Sequence, residues 1–173
     1  MIETLAQCIG FVGTLMIIIS YQQRERKKIL FYQILAGAVF GLHFVLLGKY
    51  TGCIMNLIGA VRAFVYSNSD KKWARTTLWP AAFFVVFSVA GIMTWDNIWS
   101  LFPMLAMMLM AVTTWLEKPQ HVRWFTFPAS PLWLTYNIAS RSYAGITTEI
   151  FVMASLSTAI IRYDILKRER KKK

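Results

Sequence analysis

Residues 4–28 read TLAQCIGFVGTLMIIISYQQRERKK. Positions 4–22 hold no charged side chain, and positions 24–28 hold nothing else. A helix needs roughly 17–25 mostly apolar residues to cross a bilayer core. The run meets that length, and the basic cluster stops it. Met1-Ile2-Glu3 offers no basic n-region, and no small-residue cleavage site follows the run. It is therefore expected to stay as a span and not to be removed as a signal peptide.

The same pattern recurs down the chain. Apolar runs occupy positions 29–48, 53–68, 77–95, 98–116, 123–140 and 143–163, which makes seven candidate spans. A tight turn, Lys49-Tyr50-Thr51-Gly52, is expected between the second and third. Pro119-Gln120 is read as a loop that ends the fifth helix, with His121 beside it in the same inner loop. Pro128 and Pro131 are candidates for bending the sixth. The chain is 57% hydrophobic and only 16% charged, against about 45–50% apolar in ordinary globular chains. That leaves too little polar surface to coat a globule in water. In lipid, backbone amides must be satisfied within the chain, so the spans are expected to be helices. They are too long and too uniformly apolar for barrel strands, which alternate over about ten residues.

The net charge is +11. In a soluble chain that would suggest nucleic acid. Here the basic residues sit in blocks between apolar runs, so nucleic acid is not an expected partner. With the amino terminus outside, sixteen of the nineteen Lys and Arg residues fall on the inner side, the last of them in the tail at 167–173. Only Lys49 and Arg141 fall outside, and Arg62 is expected to snorkel inward from the third span. This bias predicts an outer amino terminus and a cytoplasmic carboxyl end. Trp73, Trp79, Trp95, Trp99, Trp115 and Trp124 fall near predicted span ends, as interfacial tryptophans do. Cys8 and Cys53 have no metal-ligand spacing and read as unpaired thiols.

Shifting the chain by 93 residues lays Tyr50-Thr51-Gly52 on Tyr143-Ala144-Gly145, Ser20 on Thr113, and spans one to three on five to seven without a gap. The expected fold is an all-α membrane protein with seven transmembrane helices in a 3+1+3 arrangement. Residues 1–69 and 98–166 form two parallel three-helix repeats, 70–97 a linker and connector helix, and 167–173 a basic cytoplasmic tail. The interface between the halves is a natural pathway for a solute.

The stretch Ile18-Ile19-Ser20-Tyr21-Gln22-Gln23, the cluster from Arg24 to Lys28, Gly41-Leu42-His43-Phe44-Val45-Leu46-Leu47-Gly48 and the segment from Asn56 to Arg62 resemble the bacterial inner membrane protein YgjV family. That resemblance implies a multi-pass protein of the bacterial inner membrane and carries no assigned activity. More distantly, the layout is similar to SWEET, PQ-loop and PnuC-type transporters, which join two three-helix repeats through one helix. SWEET-like halves turn an aromatic of the second helix and an Asn of the third toward the substrate. That likeness implies a solute site at Phe40 and Asn56 and at their counterparts Trp133 and Glu149, each pair sixteen residues apart. The first half has Tyr21-Gln22 where a PQ-loop protein has Pro-Gln.

Glu149 lies about six residues into its span. A carboxylate there is expensive and usually functional. It could bind a cationic solute or a proton; the alternative is packing through Thr147, Thr148 or Arg62. Asn56 is its counterpart, with an interhelical hydrogen bond as its plainer role. Phe40 and Trp133 could grip a ring or simply pack. His43 and Tyr136, three residues beyond those aromatics, lie on nearby helix faces. His43 could sense pH or be structural, while Gly37 and Gly41 read as a close-packing face. No nucleotide loop, zinc pattern or nucleophile motif is present, so neither a cofactor nor enzyme activity is expected. The expected function is a transporter of a small polar solute working by alternating access. The alternative is a non-transporting structural, receptor or assembly protein on the same scaffold.

Overall fold

A computed structural model describes residues 1–165 apart from Arg24, Thr114, Glu117 and Lys118. The basic tail at 167–173 lies outside the described residues. Those described form an all-α bundle: α1 (Ile2–Gln22), α2 (Arg26–Leu46), α3 (Tyr50–Ser67), α4 (Leu78–Met93), α5 (Leu101–Thr113), α6 (Pro119–Thr126), α7 (Ala129–Ala139) and α8 (Tyr143–Ala159). A 3₁₀ turn, Ile98–Ser100, leads into α5, and a π-helical segment, Ile160–Ile165, extends α8.

Among the described residues, three stretches are long and apolar enough to cross a membrane: Ile2–Gln22, Arg26–Leu46 and Tyr143–Ile165. Leu78–Met93 and Ile98–Thr113 are shorter apolar helices. At 1.5 Å per residue, the 16 residues of α4 reach less far than a bilayer core of about 30 Å. Apolar side chains cover the outside. On α4, Val85 is 58% and Ile92 68% exposed, a surface that suits lipid and not water. Trp73, Trp95, Trp99 and Trp124 are exposed near helix ends.

Helix α2 packs along both α1 and α3, and α7 packs along both α5 and α8. Between these groups, α1 meets α8 and α3 meets α5, while α4 rests on α5 and α3. Gly37 and Gly41 bring α3 against α2: a Cβ on Gly37 would stand 2.9 Å from the Asn56 carbonyl oxygen, and one on Gly41 2.7 Å from Leu57. The fully buried Tyr66 ties three helices together. Its hydroxyl donates to the Ala111 carbonyl at 2.9 Å, and its ring meets Phe83 and Trp115 edge-on.

Several boundaries differ from the sequence reading. The turn after α2 is shorter than expected, because α3 already begins at Tyr50. Pro119 opens α6 and does not terminate a loop, a position where its missing N–H costs nothing. His121 accordingly sits on a helix, exposed. The sixth run is two helices, α6 and α7, broken at Phe127-Pro128, since proline disfavours helical backbone in the residue before it. Arg62 does not snorkel to the inner interface: it is 3% exposed, with its guanidinium carbon 5.9 Å from the Phe87 ring centre. Cys8 and Cys53 are free thiols.

Candidate functional site

The principal cavity, about 140 Å³, is walled by α1, α2, α3, α5, α7 and α8, with the end of α6 at its edge. That is many times the ~10–15 Å³ a single water requires. Phe40, Asn56, Trp133 and Glu149 all line it. His43 and Tyr136 do not.

The lining comes in pairs 93 residues apart. Phe40 and Trp133, Asn56 and Glu149, Gly37 and Ser130, Phe44 and Asn137 each contribute both members, as do Gln33 and Thr126, and Gly59 and Val152. Helical spacing accounts for the grouping. Gly37, Phe40 and Phe44 share one face of α2 at i, i+3 and i+7, and Ser130, Trp133 and Asn137 share the equivalent face of α7.

Depth follows from the neighbours. The Thr148 hydroxyl lies 2.8 Å from that of Thr14, and Thr14 is near the middle of α1. Glu149 therefore stands near mid-depth in the bundle. Ser130 is the side chain placed to hydrogen-bond the Glu149 carboxylate, while the Thr147 and Thr148 hydroxyls donate to the Tyr143 and Ala144 carbonyls. Asn56 donates its amide to the Gly52 carbonyl at 2.9 Å, within its own helix.

Aromatic rings form a layer at this level: a Cβ on Gly13, beside Thr14, would stand 3.0 Å from the Phe40 ring, and Phe44 lies one turn nearer Gly48 along α2. Phe44 stacks on Trp133 with centroids 6.3 Å apart and approaches Phe40 at 6.4 Å. The expected grip of Phe40 and Trp133 thus has Phe44 between its two halves. Behind the layer, the Tyr136 hydroxyl accepts from the Gly52 N–H at 2.9 Å. His43 is fully buried. Its Nδ1 donates to the Ala6 carbonyl at 2.7 Å, and its Nε2 faces the Ser142 hydroxyl at 2.7 Å. That hydroxyl also accepts from the Gly145 N–H, so it donates to Nε2, and a neutral ring satisfies every partner. His43 and Tyr136 brace the wall from outside the cavity. At the opposite end, the partly exposed Tyr21, Gln33 and Thr126 border the cavity near the basic loops.

Sequence reasoning gave no binding role to seven further polar liners, among them Ser130, Asn137, Tyr21 and Arg62. Ser130, Asn137 and Tyr21 are uncharged, and hydropathy alone does not set them apart from packing residues. Arg62 was assigned to the interface because it is long and near a helix end. Helical extension from Phe40 and Trp133 would have found Phe44 and Asn137. Among the described residues, no group of three His, Cys, Asp or Glu side chains could hold a metal.

The profile of a family described as bacterial inner membrane protein, Imp-YgjV, matches residues 4–167. The chain belongs to the Imp-YgjV family. Comparison with curated proteins and with solved structures finds no match. As an Imp-YgjV member the chain is a bacterial inner membrane protein, and lipid is the surrounding medium of its exposed apolar helices. The Imp-YgjV cavity is then a mainly apolar hollow with a few polar side chains inside a membrane bundle, where each ionisable group is costly.

Proposed function

We propose that the chain crosses the membrane seven times as two parallel three-helix repeats joined by α4, and that it moves a small polar solute by alternating access between them. The observation that carries this reading is the cavity lined in pairs 93 residues apart. Helix packing supports it, because the offset that lays α1 on α5 and α3 on α8 turns the α1–α8 contact into the α5–α3 contact. Helix ends agree as well: α2 and α7 end at Leu46 and Ala139, and α3 and α8 begin at Tyr50 and Tyr143. The second helix of the later repeat is then α6 with α7, whose start at Pro119 matches that of α2 at Arg26. A two-fold axis along the membrane normal, as in parallel-repeat transporters, is the symmetry these relations suit, and a SWEET-like mechanism is the analogy.

The excess of positive charge in the loops favours an outer amino terminus and a cytoplasmic carboxyl end. In that orientation Phe44 lies on the outer side of the Asn56 and Glu149 level, and the end of the cavity bordered by Tyr21, Gln33 and Thr126 is the cytoplasmic one. Phe40 and Trp133 would hold the body of the solute, and Asn56 and Glu149 its polar groups.

The test is a thermal-shift screen of purified protein against sugars, nucleosides, vitamins and amino acids, followed by uptake into proteoliposomes. A ligand that stabilises the wild type should lose its effect in Glu149→Gln, with the variant still inserted and folded. Normal uptake by Glu149→Gln would remove the proposed site. Silence across the panel would favour a non-transporting scaffold.

A further inference from the structure

The cavity wall is symmetric in shape but not in charge. The 93-residue counterpart of Glu149 is the neutral Asn56, and that of Arg62 is the neutral Ser155. One half therefore brings a carboxylate to the cavity and the other a guanidinium. Arg62 is six residues beyond Asn56 on α3, about 9 Å further along the helix axis at 1.5 Å per residue. The two charges line the same hollow, yet no ion pair within 4 Å joins them.

Arg62 is the least satisfied cation among the described residues. It is 97% buried by the 3% exposure of its surface, and its Nε and Nη1 have no hydrogen-bond partner. Its contact with the Phe87 ring offers the charge only weak compensation. Arginine keeps its charge in proteins, and a buried charge is retained when something pairs with it. Glu149 meets the neutral Ser130 hydroxyl and, among the described residues, pairs with no cationic side chain. An anionic occupant would leave Glu149 uncompensated, and a cationic one would leave Arg62 so. An occupant that carries both charges answers both groups.

Resting on the transport reading above, we infer that the solute is a small zwitterion of the amino-acid type, its carboxylate held by Arg62 and its ammonium by Glu149. Arg62 is then a substrate-binding residue and sets specificity. Phe40, Phe44 and Trp133 offer an apolar surface to the side chain, and Asn137, whose Oδ1 is buried without a partner, offers an acceptor.

The experiment uses the purified full chain, with binding followed by thermal shift and calorimetry. The probes are neutral L-amino acids from alanine to tryptophan, the amide of each, which lacks the carboxylate, and the N-acetyl form, which lacks the ammonium. At least one amino acid should bind, and both of its derivatives should bind at least tenfold more weakly. Arg62→Gln should weaken binding at least tenfold while its ligand-free melting temperature is unchanged or higher, because an orphaned buried charge has been removed. A merely structural arginine would instead lower that temperature. Should Arg62→Gln fail to fold, the derivative comparison on the wild type still decides the matter. No binding by any amino acid, or equal binding of the amide, overturns the inference. So does stabilisation in nanodiscs by phosphatidylethanolamine, the same charge pair on a lipid, with none from amino acids. A sugar or amine that binds through Glu149 but ignores Arg62→Gln overturns the zwitterion and leaves transport standing. Amino-acid binding that needs both residues, without uptake into proteoliposomes, upholds the zwitterion site and removes transport.

Discussion

Gly48 and Arg141, 93 residues apart, both adopt left-handed backbone, with φ of 68° and 54°, and each closes the same kind of turn. After α2, the Lys49 N–H donates to the Phe44 carbonyl and the Gly48 N–H to that of Val45. After α7, the Ser142 N–H donates to the Asn137 carbonyl and the Arg141 N–H to that of Ile138. Both are Schellman motifs, and each sets the reversal that brings the next helix, α3 or α8, back across the bundle.

The two turns should respond oppositely to substitution. Left-handed backbone strains any side chain with a Cβ and leaves glycine unstrained. Arg141→Gly should therefore stabilise the protein by about 0.5–1 kcal/mol, and Gly48→Ala should destabilise it by about 1 kcal/mol. Unfolding in detergent measures both. Destabilisation by Arg141→Gly would show that the side chain does more than tolerate the turn.

The hydroxyl of Tyr136 serves an N–H in the first turn of α3, where the helix has no carbonyl to offer. Tyr136→Phe leaves the Gly52 N–H buried without a partner, at a cost of about 1–3 kcal/mol. Affinity for a cavity ligand should change little, since Tyr136 lies behind the wall. A large loss of binding with unchanged stability would place that hydroxyl inside the site.

Gly13 of α1 backs the ring of Phe40. A Cβ on Gly13 would stand 3.0 Å from two atoms of that ring, so the ring must shift toward the cavity by a few tenths of an ångström. Gly13→Ala is expected to cost about 1–2 kcal/mol and to weaken ligand binding several-fold by narrowing the hollow. Calorimetry with any ligand found by the screen would check this. Unaltered affinity would mean that Phe40 does not bound the occupied space.

Arg123 of α6 and Asp164 of the π-helical segment form a two-point ion pair, with Nε donating to Oδ2 at 3.0 Å and Nη2 donating to Oδ1. Their side chains are 19% and 5% exposed. Asp164→Asn leaves the guanidinium poorly compensated and should cost about 3 kcal/mol, whereas Arg123→Met with Asp164→Leu should cost much less. Thermal unfolding of the two variants gives the comparison, and equal losses would argue against the pair as the source.

The residues at 4–28 already contain the argument for helices in lipid: no charge over a bilayer's width, then a basic block. The helix ends were legible where charge or glycine marks them, as at Gln22 ahead of the basic cluster and at Gly48. The break at Phe127-Pro128 was only suggested by Pro128, because a proline in an apolar run either bends a helix or divides it, and the neighbours decide which.

By itself the sequence determined the class of fold and the offset that pairs Phe40 with Trp133 and Asn56 with Glu149. Both follow from what is linear: the length of uncharged runs and the spacing of side chains along them. Only the tertiary structure decided which polar residues meet in the hollow. It turned His43 and Tyr136 into braces behind the wall and drew Arg62 in, with its Nε and Nη1 lacking hydrogen bonds. The rotation of each helix about its axis is set by packing at glycines such as Gly13, Gly37 and Gly52. In a bundle whose surroundings are as apolar as its interior, hydropathy carries no record of that rotation.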